Sequence, residues 1–430
     1  MSLEAHGSPP QQMAPSYTAL RKSRTRAKPP LVVVRTGLDR LASLDLGLGG
    51  ARCGLLCHPA SVARDLRHAA ELVGETGARL GCLFGPEHGA TGEAQDMEGV
   101  ESAPHPRLGV PVHSLYGRSE DSLRPAPGCL DDVNAVIIDL QDVGARYYTY
   151  VWSMVMMIEA CAEQGRGIRV LVLDRPNPLG GLAVEGPGIE EGFTSFVGHH
   201  PVAVRHGLTA GELARLATAE LGLSDRVDLD VVPMQGWRRG QLFDETGLPW
   251  VLPSPNMPTL ETALVYPGAC LLEATNVSEG RGTTRPFELV GAPWIDGWEL
   301  GAALAREDLP GVRFRPTCFR PTFHKHRGQS CGGVQQHVTD RRAFRPFRTG
   351  VALLATVKRL WPDELAWRDQ PYEFVHDRPA IDLLAGGAWL REGVERGSTL
   401  AELTAGWDSA EAAFRARRSP HLIYSDRVEG

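Results

Sequence analysis

Short apolar runs, each ending in a polar turn rich in Gly and Pro, recur along this chain and leave it few folds to choose from. Residues 53–57 lead into His58-Pro59, residues 80–84 into Gly85-Pro86, residues 135–138 into Asp139, and residues 168–173 into Asp174-Arg175-Pro176-Asn177-Pro178. Runs of this length without alternation read as strands buried on both faces, the condition of a parallel sheet. Residues 69–73 and 150–164, between such runs, are rich in helix formers. Thr209-x-x-Glu212 has the form of a capping box opening a helix over residues 213–221, and residues 228–232 supply one more strand. Strand alternating with helix predicts an α/β fold, a doubly wound, mostly parallel sheet over residues 31–235.

The chain has 430 residues, 42% of them hydrophobic, more than one core usually holds, so further domains are expected. Residues 1–30 carry the basic stretch from Arg21 to Arg26 and no apolar periodicity, and read as a disordered basic tail. After Trp250 the chain turns to Pro, Gly and Thr, which favour extended segments and turns. The organisation expected is a tail over 1–30, a catalytic domain over 31–265 and a smaller α+β domain over 266–430. Helices in the last are expected over residues 298–305, 350–360 and 409–417.

A net charge of −7 supplies no basic field for a nucleic-acid backbone. The eight cysteines form no Cys-x-x-Cys pair. No apolar run approaches the roughly 18 residues of a membrane span, and no secretory signal is visible, so the chain as written is expected in the cytoplasm.

In an open parallel sheet, ligands bind beyond the carboxyl ends of the strands, which makes the polar residues there the candidates for chemistry. Glu87 stands out. Gly85, Pro86 and Gly89 fix a tight turn around it, and partial desolvation would move its carboxyl toward the range of a general acid. The plainer reading, a helix cap or an arginine partner, competes with this. His88 could tune that carboxyl or be structural. Asp139 and Asp142 flank Gln141 on one loop and could share acid/base work, hold a metal, or cap the following helix. Arg146, Arg175 and Arg281 sit in polar loops where a guanidinium could clamp a carboxylate. Tyr147, Tyr148 and Tyr150 offer aromatic faces for a sugar ring. His199-His200 and His324-x-His326 lack the spacing of a zinc site, and the Gly-rich segments fit neither dinucleotide nor P-loop fingerprints, so no metal and no cofactor is expected.

Five motifs then follow in order: Phe84-Gly85-Pro86-Glu87-His88-Gly89, residues 139–150 (DLQDVGARYYTY), Asp174-Arg175-Pro176-Asn177-Pro178, Ser254-Pro255-Asn256-Met257-Pro258 and residues 273–283 (EATNVSEGRGT). In this the chain resembles the NamZ-type exo-β-N-acetylmuramidases, glycoside hydrolase family 171, over residues 31–430. The resemblance implies a Rossmann-like domain plus a smaller C-terminal domain with the cleft between them. It also implies release of terminal β-1,4-linked N-acetylmuramic acid from the non-reducing end of peptidoglycan fragments, with Glu87 matching the catalytic glutamate. Members are often exported, and the missing signal departs from that.

On this reading Glu87 protonates the leaving oxygen, and the second group is open between Asp142, Glu279 and the substrate's 2-acetamido oxygen. His88, Asp139, Gln141, Tyr148 and Asp174 are expected to bind substrate. One of Arg146, Arg175 and Arg281 would meet the lactyl carboxylate, while Asn177, Asn256 and Asn276 would contact hydroxyls and the acetamido group. A non-catalytic binder of wall sugars, and a metal-dependent hydrolase using Asp139, Asp142 and His88, are the competing classes.

Overall fold

The computed structural model describes residues 33–95 and 97–425. The tail expected over 1–30 lies outside them. Seven strands form the main sheet: β1 (Arg52–Cys57), β2 (Arg79–Gly85), β3 (Ala103–Pro104), β4 (Pro111–Ser114), β5 (Ala135–Asp139), β6 (Arg169–Leu173) and β7 (Asp228–Val232). Their order is β3-β4-β2-β1-β5-β6-β7, with only β3 antiparallel to its neighbour. The doubly wound sheet is therefore as expected, except that it begins at Arg52 and carries an edge formed by β3 and β4. Pro-Val-His-Ser is too short and polar a run to announce a strand.

The unbroken apolar runs follow from what covers each face. Cys53, Leu55 and Cys57 of β1, with Ile137 of β5 and Leu171 and Leu173 of β6, pack under Leu38 and Leu41. Leu56, Val136, Ile138, Val170 and Val172 face the other way, into a core shared with the helix Tyr150–Gln164. In these central strands the residues of each apolar run are thus buried whichever way they point, and alternation disappears.

The same core continues without a break into the C-terminal half, through Leu264, Leu271, Val351, Leu354, Ile381 and Leu384. There, β8 (Leu289–Ala292), β9 (Val312–Phe319) and β10 (Cys331–Val338) make an antiparallel sheet in the order β8-β10-β9. The helices expected near residues 298, 350 and 409 are Gly297–Leu304, Pro346–Leu360 and Trp407–Arg418. Within the stretch after Trp250, whose prolines favour extended segments and turns over long helices, residues 260–269 nevertheless form the helix Leu260–Ala269, capped by Thr259 and holding Pro267 near its C-terminal end. Burial of Leu260, Ala263, Leu264, Val265 and Tyr266 outweighs the single proline. Residue 265, where the first domain was expected to end, lies inside this helix.

Glu185 ties the halves together at a cost. It is 2% exposed, and one carboxylate oxygen accepts the Arg348 N–H at 2.8 Å at the start of the helix Pro346–Leu360. Burial raises its pKa from 4.5 to about 7, against the Arg348 N–H and the Arg205 and Arg345 charges that favour ionisation. A carboxyl whose folded pKa is raised contributes stability below its unfolded value, and that contribution is lost as pH climbs toward 7. Glu185→Gln, which keeps the acceptor, is expected to gain up to about 3 kcal/mol relative to the parent between pH 5 and pH 8. Urea unfolding at the two pH values measures this, and an unchanged difference would count against it.

Candidate active site

The turn after β2 is forced by its residues. A Cβ on Gly85 would come within 2.4 Å of the Ala90 amide nitrogen, so the chain can double back only with glycine there. His88 and Gly89 then take left-handed backbone angles, φ 68° and 78°. For histidine this conformation is costly and is kept by its surroundings: Nδ1 bonds to the Ala94 carbonyl at 2.8 Å. His88 therefore pins its own loop and lines the cleft with the rest of its ring.

Glu87 is 7% exposed and opens on the cleft. Thr149 Oγ1 donates to its Oε2 at 2.6 Å. Thr149 is also the N-cap of the helix Tyr150–Gln164, yet its hydroxyl makes no capping bond, because Glu87 has it. The carboxyl thus sits beside the N-terminus of that helix.

Aromatic rings build the floor. Tyr148 packs on Tyr150 at 4.7 Å between centroids and meets Tyr266 edge-on at 5.8 Å, and Tyr266 meets Phe287 at 4.9 Å. Burial pushes the phenols of Tyr148, Tyr150 and Tyr266 upward, so all three are neutral donors. The Tyr148 hydroxyl, beside Ser254 and Tyr150, makes no hydrogen bond of ordinary geometry. Asn256 Nδ2 donates to Gln95 Oε1 at 2.9 Å and closes the cleft against the loop that follows Glu87.

The opposite wall comes from the C-terminal half. Glu273 accepts Arg281 Nη2 and the Tyr372 hydroxyl, both at 2.7 Å, one on each oxygen. Arg281 also lies 5.1 Å over the Phe287 ring and 3.4 Å from Glu279. Glu373 reaches the cleft from two consecutive left-handed residues, with φ 47° at Glu373 and 67° at Phe374. Tyr116 donates its hydroxyl to Glu373 Oε2 at 2.9 Å.

Of the residues singled out in the sequence, the cleft gathers Glu87, His88, Tyr147, Tyr148, Tyr150, Asn256 and Arg281. The others hold the strand ends together. Arg175 forms a buried bidentate pair with Asp139, at 2.6 and 2.7 Å, and lines a separate crevice with Gln141. Arg146 is fully buried and donates to the carbonyls of Pro187, Val202 and Leu384, and burial lowers its pKa to about 10. Neither guanidinium lines the cleft that holds Glu87. Gln141 donates to the carbonyls of Asp142 and Pro176, Asn177 to that of Leu208, and Asn276 to that of Glu364.

Asp174 accepts Thr209 Oγ1, the Gly211 N–H and the Tyr424 hydroxyl, anchoring a helix and the chain end, and burial raises it to about 6. Asp142 accepts the Gly144 N–H at 2.7 Å and stands 3.5 Å from His206, outside the cleft lining. Glu279 is buried, which opposes its charge, but Lys325 at 2.8 Å, His324 and Arg281 outweigh that and hold it below the usual carboxylate range. It lies outside the lining of the cleft that holds Glu87. No group of three or more His, Cys, Asp or Glu side chains among the described residues is arranged to hold a metal ion. No helix among them is long and apolar enough to cross a membrane.

Thr149, Ser254, Tyr266, Tyr372 and Glu373 were not singled out as binding residues. Thr149 and Ser254 lie inside two of the five motifs, whereas nothing around Tyr372-Glu373 resembles a strand end.

Comparisons with known proteins agree with this architecture. Residues 53–261 match the model of the N-terminal part of the exo-β-N-acetylmuramidase NamZ, and residues 264–424 that of its C-terminal part. The peptidoglycan β-N-acetylmuramidase NamZ of Bacillus subtilis (strain 168) is 43% identical over 405 residues, covering 94% of each chain. Two DUF1343 family proteins of Bacteroides fragilis with crystal structures share the fold. One has a TM-score of 0.82 at 32% identity, covering 92% of this chain and all of the other. The second has a TM-score of 0.71 at 28% identity, covering 92% and 99%.

Proposed function

The chain belongs to the NamZ exo-β-N-acetylmuramidase family, and from that premise we propose that its cleft releases terminal N-acetylmuramic acid from the non-reducing ends of peptidoglycan fragments, with Glu87 as the acid. The supporting observation is a glutamate 7% exposed at a sheet end, opening on a cleft walled by tyrosines and two further carboxylates. Thr149 occupies Oε2 of Glu87, so Oε1 is the oxygen that carries the proton to the glycosidic bond. As that bond breaks, its electron pair goes to the leaving oxygen, which takes the Glu87 proton. Positive charge developing at the ring meets the anionic wall of Glu273 and Glu373.

Glu373 is the second reacting carboxylate in this scheme. It lines the cleft together with Glu87, whereas Asp142 and Glu279 lie outside that lining, and Glu273 is bonded to the Arg281 cation. The sugar lies against Tyr148 and Tyr266, and the Tyr148 hydroxyl and Asn256 meet its polar groups. Residues 31–265 form the catalytic domain in this reading and residues 266–430 close the cleft.

The muramyl-β-1,4-glucosamine disaccharide tests the assignment. The protein is expected to liberate free muramic acid, resolved by mass spectrometry, at a rate unchanged by thorough chelation. Saturable binding without product would make the cleft a receptor, and activity lost on chelation and restored by a divalent ion would move the chemistry to a metal.

A further inference from the structure

A substrate ending in muramic acid brings a carboxylate, on its lactyl ether, into a cleft already lined by Glu87, Glu273 and Glu373. Like charges repel unless a cation answers them. The arginines nearest in sequence to the motifs do not supply one. Arg146 is spent on carbonyls, Arg175 on Asp139, and Arg281 on Glu273 and Glu279.

Arg368 is placed differently. Its backbone N–H bonds to the Ala274 carbonyl at 2.8 Å, next to Glu273, which fixes its station beside the cleft wall. Its guanidinium carbon lies 5.4 Å over the ring of Tyr372, a residue that lines the cleft. Nη2 is 3.4 Å from the sulfur of Met97, on the loop that follows Glu87, and 3.3 Å from the Pro371 carbonyl. Nε is shielded from solvent and without a hydrogen-bond partner. No carboxylate among the described residues pairs with this group. A guanidinium laid on an aromatic face and a thioether is held in one orientation, and with Nη2 on Pro371 and Met97 and Nε shielded, Nη1 is the edge left to meet an anion.

We propose that Arg368 is the specificity-determining residue that receives the lactyl carboxylate of the terminal muramic acid. The proposal rests on the muramidase reading above. It assigns discrimination between muramic acid and its uncharged analogues to one side chain at the cleft rim, apart from the carboxyls that break the bond.

Two substrates separate these roles: the muramyl-glucosamine disaccharide and the same disaccharide with its lactyl carboxyl converted to the methyl ester. The parent protein is expected to prefer the acid. In Arg368→Gln, kcat/KM for the acid is expected to fall about 10- to 100-fold, chiefly through KM. The ester changes less than about threefold, so the preference collapses. Arg368→Lys, which keeps the charge and loses the fork, is expected to retain part of the preference. Equal losses on both substrates would mark Arg368 as structural, and an undiminished preference for the acid would place recognition elsewhere; either result overturns the proposal. Failure of the parent protein to cleave either substrate would instead overturn the muramidase reading itself.

Discussion

Glu87→Gln is expected to lower release of muramic acid from the natural disaccharide by about 10²- to 10⁴-fold, the usual contribution of a positioned general acid. The replacement is nearly isosteric, and its amide oxygen can still accept the Thr149 hydroxyl that now holds the carboxyl at 2.6 Å. The turn does not depend on the charge, since Gly85, the His88 bond to Ala94 and Gly89 set its course. The midpoint of thermal unfolding should therefore stay within a few degrees of the parent. The loss should also depend on the leaving group. An aryl muramide whose phenolate departs without protonation asks nothing of the acid, so the variant should recover most of the parent rate on it. Near-parental rates on the disaccharide would remove Glu87 from the chemistry, and equal loss on both substrates would give it another role.

That prediction rests on a residue the sequence points to directly, and the reason is local. A buried strand announces itself by an unbroken apolar run, and the Gly and Pro that follow announce the turn, so β2 and Glu87 can be placed together. The same logic marks Asp139, Asp174 and Arg175 equally strongly, because each also follows a strand. What separates them from Glu87 is whether a partner already satisfies the side chain. Asp139 and Arg175 find each other across 36 residues, and Asp174 finds Tyr424 across 250. Pairings at such separations leave no local pattern. Nor does the second wall of the cleft, since Glu273 and Glu373 arrive from a half of the chain where prolines hide the helix Leu260–Ala269 and short helices follow Glu373. Glu373 is the extreme case. Its approach depends on two left-handed residues with no glycine to signal them.

That backbone supports the second large prediction. A left-handed angle at a non-glycine residue costs on the order of 1 kcal/mol or more, and the chain carries two in succession at Glu373 and Phe374. The surrounding packing must hold them there, and what the strain delivers is a carboxylate, 6% exposed, in the cleft that contains Glu87. Glu373→Ala is expected to reduce turnover of the disaccharide about 10³-fold or more, and an aryl leaving group should not restore it, because the missing group acts at the anomeric carbon and not at the leaving oxygen. Azide should restore part of the rate. Whether Glu373 attacks the anomeric carbon or takes a proton from the water that does, a small anion in the space vacated by the side chain can form the new bond to carbon itself. The product would then be a muramyl azide, detectable by mass. Tyr116→Phe, which removes the 2.9 Å phenol contact and leaves the carboxylate, is expected to fall between the parent and Glu373→Ala. The opposite pattern, rescue of Glu373→Ala by the aryl leaving group and none by azide, would exchange the roles of Glu87 and Glu373. If neither agent restores activity while the fold persists, Glu373 shapes the cleft and takes no part in bond cleavage.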